Sequence, residues 1–313
     1  METFERILCP IDFSDGSRGA LVMAGALAHW YQARLTVLHV HANWPVADML
    51  PSLRPVEARP LPLDEEERET VLRAVRTFAA QAGLPEGLAL ECLIEDSIDV
   101  VTAILDRADG ADVVVLGTHG RSGLERLLLG SVAERVLRKA RCPVVVVPPM
   151  AHPPKDTVGM GRRILCGVDF SDASLTALEY AVSLAEESDA TLTLIHVIEI
   201  PPELNGSART QADVAHARTV AEAEALRRLR ALVPASASEA CTVHVEVAEG
   251  RAARELVRAA REGHDDLIVM AVRGRNAVDL AVFGSNTNQV VRTAPCPVLV
   301  VHGGAHPARS TGC

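Results

Sequence analysis

The stretch RILCPIDFSD at residues 6–15 returns as RILCGVDFSD at residues 163–172, with eight of the ten positions identical. Two further segments recur in the same order: LTVLHV (35–40) as LTLIHV (192–197), and CPVVVV (142–147) as CPVLVV (296–301). The copies lie 157 residues apart at the first two segments and 154 at the third, which is a net deletion of three residues. The sequence therefore predicts one domain written twice, with two related sites.

Composition and length fit this duplication. The chain has 313 residues, 48% of them hydrophobic, which is enough for two ordinary cores. Its net charge of −10 argues against nucleic acid as a partner, because that partner needs a clustered basic surface. The proline- and glycine-rich stretch PPMAHPPKDTVGMG (148–161) separates the copies and has no helical periodicity. We predict the following divisions: a first domain over 1–149, a linker over 150–161, a second domain over 162–303 and a tail over 304–313.

Apolar runs of strand length alternate with segments of helical periodicity. In the first copy the predicted strands are 6–11, 34–40, 88–94, 112–117 and 143–147, and the predicted helices are 15–30, 64–82, 97–109 and 131–140. In the second copy the predicted strands are 163–168, 191–197, 242–247, 266–271 and 297–301. Several strands are apolar throughout, which is typical of parallel strands covered by helices on both faces. The pattern predicts a parallel, doubly wound sheet in each copy.

Other features indicate a cytoplasmic protein. The seven cysteines form no CxxC pair, and Cys9, Cys142, Cys166 and Cys296 lie in or just before strands, so we expect small buried hydrophobes in a reducing compartment. No signal-peptide pattern precedes the first strand, and no apolar run reaches the roughly 18 residues of a spanning helix. The proline-rich stretch 43–62 is either a lid over a site or a tolerated surface insertion.

The stretch after the fourth strand carries the chemistry. Its glycines are spaced as Gly117-x2-Gly120-x9-Gly130, followed directly by Ser131. Gly117 and Gly120 follow a central strand, at the crevice where doubly wound sheets bind ligands, and can take positive φ or admit a phosphate close to the backbone. Gly130 and Ser131 open the next helix, whose free N–H groups attract anions. The spacing therefore predicts an anion site at a helix start.

Each of these residues also has a structural explanation. Ser131 followed by Glu134 is a capping box, so Ser131 could serve only to begin a helix. Glycines at the end of a strand often form a turn and nothing more. His119 and Arg121 lie within the loop and could add positive charge to a phosphate cradle. These alternatives stay open on the residues alone.

This motif, together with CPIDFSD (9–15) and CPVVVV (142–147), resembles the universal stress protein family in its tandem-domain form. The resemblance covers nearly the whole chain. It implies two Rossmann-like α/β domains of the adenine-nucleotide alpha hydrolase-like kind, each with a five-stranded parallel sheet of order 3-2-1-4-5 and helices on both faces. It also implies an ATP-binding regulatory protein of the stress response, with ATP as its cofactor and accompanying magnesium left open.

The resemblance assigns ligand contacts in the first copy. Those contacts are Pro10 and Asp12 at the adenine or ribose, Val40 and Leu116 in the adenine pocket, and Gly117, Gly120, Gly130, Ser131 and Val132 at the ribose and phosphates. Asp12 has an alternative as a turn or cap residue before the first helix, although Ser14 and Asp15 are better placed for that cap.

The second copy keeps only part of the motif. It retains Asp169, Val197, Gly274, Gly284 and Ser285. Ala271 replaces the first glycine, and a Cβ there costs on the order of 1 kcal/mol if the position needs positive φ. Further changes are Pro10 to Gly167, His119 to Arg273 and Val132 to Asn286. We expect nucleotide binding in the second copy to be weaker than in the first, or absent.

The sequence does not favour an enzyme. GxxxxGK[ST] is absent, so there is no lysine of a P-loop, and no nucleophile with a base stands out. Slow ATP hydrolysis or phosphotransfer assisted by Asp12 or His119 stays an alternative, as does a ligand-free scaffold for protein contacts. His39 and His41 lie on one face of a strand, but too few ligands accompany them for a metal site.

The closing strands 143–147 and 297–301 are the expected edges of their sheets. Members of the family that this chain resembles dimerise along the final strand, which satisfies exposed edge N–H groups. We therefore predict a pseudo-dimer of the two domains within one chain. A homodimer and a further, unidentified protein partner stay open, and no membrane partner is expected.

Overall fold

The structure is a computed structural model that describes residues 4–42, 62–118, 129–149, 151, 161–199, 211–272 and 284–302. Two compact units make up the chain, one of Phe4–Val144 and one that begins at Val145. Most of the predicted linker 150–161, and all of the proline-rich stretch 43–62 except Pro62, lie outside the described residues.

The first copy alternates strands and helices as its sequence predicts. Its strands are β1 (Arg6–Ile11), β2 (Arg34–Ala42), β3 (Ala89–Ser97), β4 (Val113–Gly117) and β5 (Val144–Val147). Its described helices are α1 (Asp15–Tyr31), α2 (Glu65–Gln81), α3 (Val100–Ala108) and α4 (Ser131–Lys139). The acidic start of α2 is a capping box, in which Asp64 and Glu67 each accept the other's backbone N–H.

The second copy repeats this order of elements, with one additional short helix before its third strand. Its strands are β6 (Arg163–Gly167), β7 (Thr191–Ile198), β8 (Thr242–Glu249), β9 (Leu267–Ala271) and β10 (Val298–Val301). Its described helices are α5 (Asp172–Ser188), α6 (Gln211–Leu232), α7 (Ala235–Ala240), α8 (Ala252–Glu262) and α9 (Ser285–Thr293). Within the described residues, no helix is both long enough and apolar enough to span a membrane.

The strand order is β3-β2-β1-β4-β5 in the first copy and β8-β7-β6-β9-β10 in the second, which confirms the predicted order 3-2-1-4-5. The ladders of β1 with β2 and with β4 are parallel. Because α1 carries the chain from β1 to β2 on one side while β4 lies on the other, the strand order reverses between β1 and β4. A crevice at the carboxyl ends of strands is expected at such a point.

The core explains why several strands are apolar throughout. In β4, Val113, Val114 and Val115 are 0% exposed and Leu116 is 4% exposed, so successive residues are buried on both faces of the sheet. Cys9 and Cys166 are 0% exposed and Cys296 is 4% exposed, as predicted for small buried hydrophobes, whereas Cys142 is only half-buried. All of the described cysteines are free.

Two aspartates that sequence analysis missed fasten the amino ends of the central strands. The carboxylate of Asp112 accepts the backbone N–H groups of Glu5 at 2.9 Å and Arg6 at 2.8 Å, and the Arg6 guanidinium at 2.7 Å. Asp266 accepts the N–H groups of Arg162 and Arg163 in the same way, at 2.8 and 3.1 Å. Each aspartate holds the strand that begins its copy against the fourth strand, at the edge opposite the expected site.

Candidate functional site

The carboxyl end of β1 continues into a turn braced by Asp12. Its Oδ1 accepts the N–H of Ser14 at 3.1 Å and the hydroxyl of Ser14 at 2.5 Å, and it also accepts the hydroxyl of Ser17. The N–H of Asp12 donates to the Ser17 hydroxyl at 3.0 Å. Ser14 is the cap of α1, since its side chain accepts the N–H of Ser17 at 3.2 Å. The cap role therefore belongs to Ser14, as expected, while Asp12 is held in one orientation by its neighbours.

Phe13 was not predicted as part of the site. Its φ of 65° lies in the left-handed region, which costs a residue with a bulky side chain on the order of 1–3 kcal/mol. Its ring packs on His39 with centroids 4.6 Å apart, and His39 Nδ1 donates to the Ile11 carbonyl at 3.0 Å. This contact fixes the end of β2 to the end of β1.

The second copy builds the same arrangement. Phe170 has a φ of 63°, its ring lies 4.6 Å from that of His196, and His196 Nδ1 donates to the Val168 carbonyl at 2.7 Å. The available signal in the sequence was the repeat itself, because DFSD and the strand-end His-Val recur together in both copies.

Gly117 ends β4, and its role differs from the one expected. A Cβ at Gly117 would lie 2.5 Å from the carbonyl oxygen of Gly16 and 2.6 Å from its carbonyl carbon. The φ of Gly117 is not in the left-handed region, so of the two explanations left open for this glycine, the one that needs a positive φ does not apply. Glycine is needed because the start of α1 crosses the strand end in direct backbone contact. In the second copy Ala173 and Ala271 occupy the equivalent positions.

The start of α4 offers backbone donors. Gly130 is the N-cap, with φ −59° and ψ 143°, and no side chain caps this end. The first intrahelical bond runs from the Glu134 N–H to the Gly130 carbonyl at 2.9 Å, so the N–H groups of 131–133 have no partner within the helix. The reading of Ser131 as the capping residue is wrong, because Ser131 is the exposed first residue of α4. Three amides and the positive end of the helix dipole are therefore available to bind an anion.

Three contacts bring these segments to one edge of the sheet. His39 joins the end of β2 to the end of β1, Gly16 touches Gly117 at the end of β4, and the Gly130 N–H donates to the Thr118 carbonyl at 2.8 Å. The edge thus gathers most of the residues assigned to the first site: Pro10, Asp12, Val40, Leu116, Gly117, Gly130, Ser131 and Val132. Gly120, Arg121 and His119 lie outside the described residues, as do Gly274 and Arg273 in the second copy.

Burial divides the residues at this edge. Val40 is 8% exposed and Leu116 is 4% exposed, which suits apolar walls, whereas Ser131 at the helix start is exposed. Pro10 lies opposite Leu38 in the ladder of β1 with β2, whereas the ladder of β1 with β4 ends at Leu8. A residue without an N–H is tolerated where pairing on one side has ended.

The second site differs most at its helix start. Asp169 Oδ1 accepts the N–H and the hydroxyl of Ser171 at 3.0 and 2.6 Å, and Gly284 is again an N-cap without a capping side chain, ahead of exposed Ser285. The hydroxyl of Thr287, in the first turn of α9, donates to the carbonyls of Ala271 and Val272 at 3.1 and 3.0 Å. Its counterpart in the first copy is an alanine. The Thr287 hydroxyl therefore joins the start of α9 to the end of β9, and Val197 on β7 is half-buried.

Among the described residues, Asp99 and Arg135 form an ion pair beside the first site. Asp99, the N-cap of α3, accepts the Thr102 hydroxyl at 2.9 Å, and this hydrogen bond lowers the pKa of the Asp99 carboxyl. Arg135 of α4 lies 3.3 Å from the same carboxylate.

Burial raises the pKa of the Cys142 thiol to about 11 and that of Cys166 to about 12, so neither is a thiolate at neutral pH. Among the described residues, no three His, Cys, Asp or Glu side chains cluster as metal ligands do.

Comparison with known proteins agrees with the resemblance seen in the sequence. The model of the universal stress protein family matches residues 3–148 and 160–302. A universal stress protein of Mycolicibacterium smegmatis is 28% identical over 304 residues, which are 94% of this chain and 96% of the relative. One from Mycobacterium tuberculosis is 29% identical over 279 residues, covering 85% of this chain and 86% of the relative. The crystal structure of a universal stress protein from Archaeoglobus fulgidus aligns with a TM-score of 0.61 at 25% identity, covering 95% of this chain and 98% of that one.

Proposed function

Because the chain belongs to the universal stress protein family, we propose that it is an ATP-binding regulatory protein of the stress response. Bound nucleotide sets the conformation of the chain or its choice of protein partner. The first copy carries the principal site, and ATP is its ligand.

One observation carries this proposal. The start of α4 has no capping side chain, yet the Gly130 N–H holds it against the Thr118 carbonyl at the end of β4. Its remaining amides thus stand at the same edge of the sheet as the oriented carboxylate of Asp12. Amides at a helix start attract phosphate, and a carboxylate accepts hydrogen bonds from sugar hydroxyls. Amides that can bind phosphate and a carboxylate that can accept sugar hydroxyls thus lie at the same edge of the sheet, which supports a nucleotide as the ligand.

The residues of the edge assign the parts of the ligand. Ser131 and Val132 contribute backbone N–H groups to the phosphates, and Val40 and Leu116 supply apolar contact to the base. Arg135, on α4, forms an ion pair with Asp99 at 3.3 Å, so within the described residues we assign the phosphates to backbone amides. Magnesium, where it accompanies ATP, is bound through the phosphates and water, since the described residues provide no cluster of ligands.

The second copy is proposed as the weaker site. The Thr287 hydroxyl occupies the carbonyls at the end of β9, and exposed Asn286 replaces half-buried Val132. An amide in place of an apolar side chain removes an apolar contact beside the phosphate-binding amides and adds a group that must be hydrated. The replacement of Gly117 by Ala271 is weaker evidence for reduced nucleotide binding than the sequence suggested, because Gly117 is required by the close backbone contact with Gly16 of α1.

Hydrolysis is not part of the proposal. One carboxylate oxygen of Asp12 already accepts three hydrogen bonds from Ser14 and Ser17, so that oxygen is not free to accept a proton from an attacking water. A cytoplasmic setting is consistent with the free cysteines of the described residues. Pairing of the closing strands, homodimerisation and the protein partner stay predictions.

Nucleotide extraction tests the function. The full chain is purified without added nucleotide, denatured, and its small-molecule extract identified by mass, followed by equilibrium dialysis against ATP up to millimolar concentration. We expect an adenine nucleotide in the extract and about one tight site per chain. An empty extract together with no binding at millimolar ATP would contradict the proposal and favour a ligand-free scaffold.

A further inference from the structure

Both copies carry the same trio of residues at the turn after their first strand. The trio is Asp12, Ser14 and Ser17 in the first copy and Asp169, Ser171 and Ser174 in the second. The last serine of each trio is buried, with Ser17 5% exposed and Ser174 2% exposed. Identical residues in equivalent turns allow a direct comparison of how each hydroxyl is used.

The two buried hydroxyls point to different partners. The Ser17 hydroxyl donates to the carboxylate of Asp12 and also accepts the Asp12 N–H at 3.0 Å, so it binds both the side chain and the backbone of that residue. Ser174 instead donates to the backbone carbonyl of Ser171 at 2.9 Å. The serine bonds to the Asp169 carboxylate both come from Ser171.

We propose that Ser17 is a positioning residue that fixes the Asp12 carboxylate towards the ribose hydroxyls of the nucleotide, and that its loss from this role in the second copy leaves that site less selective for ribose. This inference rests on the proposed function. Asp12 is the group that meets the ligand, and Ser17 acts only through it.

The geometry separates this role from helix capping. Ser14 already caps α1 by accepting the Ser17 N–H at 3.2 Å, and Ser171 caps α5 by accepting the Ser174 N–H at 3.2 Å. Both helices therefore begin equally well with or without the bond to the aspartate. The Ser17 hydroxyl is thus left to orient the carboxylate, in the way that outer residues hold a ligand-binding group in one rotamer.

The orientation of the Asp12 carboxylate affects how strongly it binds a ribose hydroxyl, which is a neutral donor to a charged acceptor. A hydrogen bond from a ribose hydroxyl to a carboxylate changes a binding constant by about tenfold or more when the geometry is fixed. A carboxylate that samples several rotamers must be ordered on binding, and that ordering reduces the gain. Selectivity for ribose over deoxyribose therefore reports on how well Asp12 is held.

The test compares the full chain with its Ser17→Ala variant and with Ser174→Ala as the matched control. Each protein is titrated with ATP, 2′-deoxy-ATP and 3′-deoxy-ATP, and the measured quantity is the ratio of dissociation constants of the deoxy analogues to that of ATP. Thermal melts establish that each variant is folded. The ratio is taken within one protein, so a uniform loss of stability does not change it.

We expect a ratio of about ten or more for at least one analogue in the wild-type chain. In Ser17→Ala the ratio should fall to below about three, while Ser174→Ala should keep the wild-type value. A Ser17→Ala variant that binds ATP with an unchanged ratio refutes the positioning role and leaves the proposed function intact. A wild-type chain that binds ATP without discrimination also refutes it, and one that binds no ATP refutes both.

Discussion

Replacing Gly117 by alanine tests the packing that holds the site together. The new Cβ would stand 2.5 Å from the Gly16 carbonyl oxygen, whereas real Cβ contacts stay beyond 3.0 Å, so the backbone of α1 must move by at least 0.5 Å (3.0 − 2.5) relative to β4. The Gly16 atoms that it meets belong to the main chain, so no side chain can rotate away to relieve the contact. Such overpacking typically costs about 1–3 kcal/mol, which lowers the Tm of a domain of this size by roughly 3–10 °C.

The measurement is thermal unfolding followed by circular dichroism, with Gly110→Ala as the matched control. A Cβ at Gly110 meets only the Arg107 carbonyl oxygen, at an ordinary 3.6 Å. This control should be neutral or stabilise by less than about 1 kcal/mol. The Gly117→Ala variant should also bind ATP more weakly, since α1 begins beside the Asp12 turn. A Gly117→Ala chain that melts with the wild type would refute the steric explanation of this glycine.

Three further predictions concern the rest of the molecule. Burial raises the pKa of the Asp265 carboxyl to about 6 from an ordinary 3.8, so the protonated form stabilises the folded state and this stabilisation is lost as pH rises through 6. In urea unfolding, Asp265→Asn should therefore gain stability relative to wild type between pH 4 and pH 7. A stability difference that does not change with pH would contradict this prediction. Asp112→Ala leaves two strand N–H groups without their acceptor and should lower the free energy of unfolding by about 1–3 kcal/mol, whereas a loss near zero would deny the fastening role. Cys166 should resist a thiol reagent at pH 8 until urea is added, because it is fully buried with a raised thiol pKa, and rapid labelling of the folded chain would count against its burial.

The fold could be predicted because its signals are local. Parallel strands buried on both faces produce continuous apolar runs, and such runs predicted β4, β5, β9 and β10. The predictions fell short at the polar ends, where β2 and β3 continue to Ala42 and Ser97. There His41 pairs with Asp96, and Asp96 is held by Arg68 of α2 at 2.9 Å. A polar strand end that is stabilised by a distant helix leaves no periodic signal.

The site residues stay a prediction, but the structure gives physical reasons for several of their positions that the sequence did not show. The steric demand at Gly117 comes from Gly16, about a hundred positions earlier in the chain, and only the tertiary approach of α1 reveals it. Ser131 looked like a cap because either Gly130 or Ser131 could begin the helix, and sequence rules separate such neighbours poorly. The left-handed Phe13 could not be foreseen, since phenylalanine gives no local preference for that conformation.

The central claim is that backbone amides at the start of α4 hold the phosphates of ATP. Ser131→Pro removes one of these N–H groups at a position where proline fits a helix, and Ser285→Pro makes the same change at the start of α9. The dissociation constant of ATP, measured by equilibrium dialysis on the full chain, should rise about tenfold or more in Ser131→Pro and stay near the wild-type value in Ser285→Pro. Unchanged affinity in a folded Ser131→Pro chain would contradict the account.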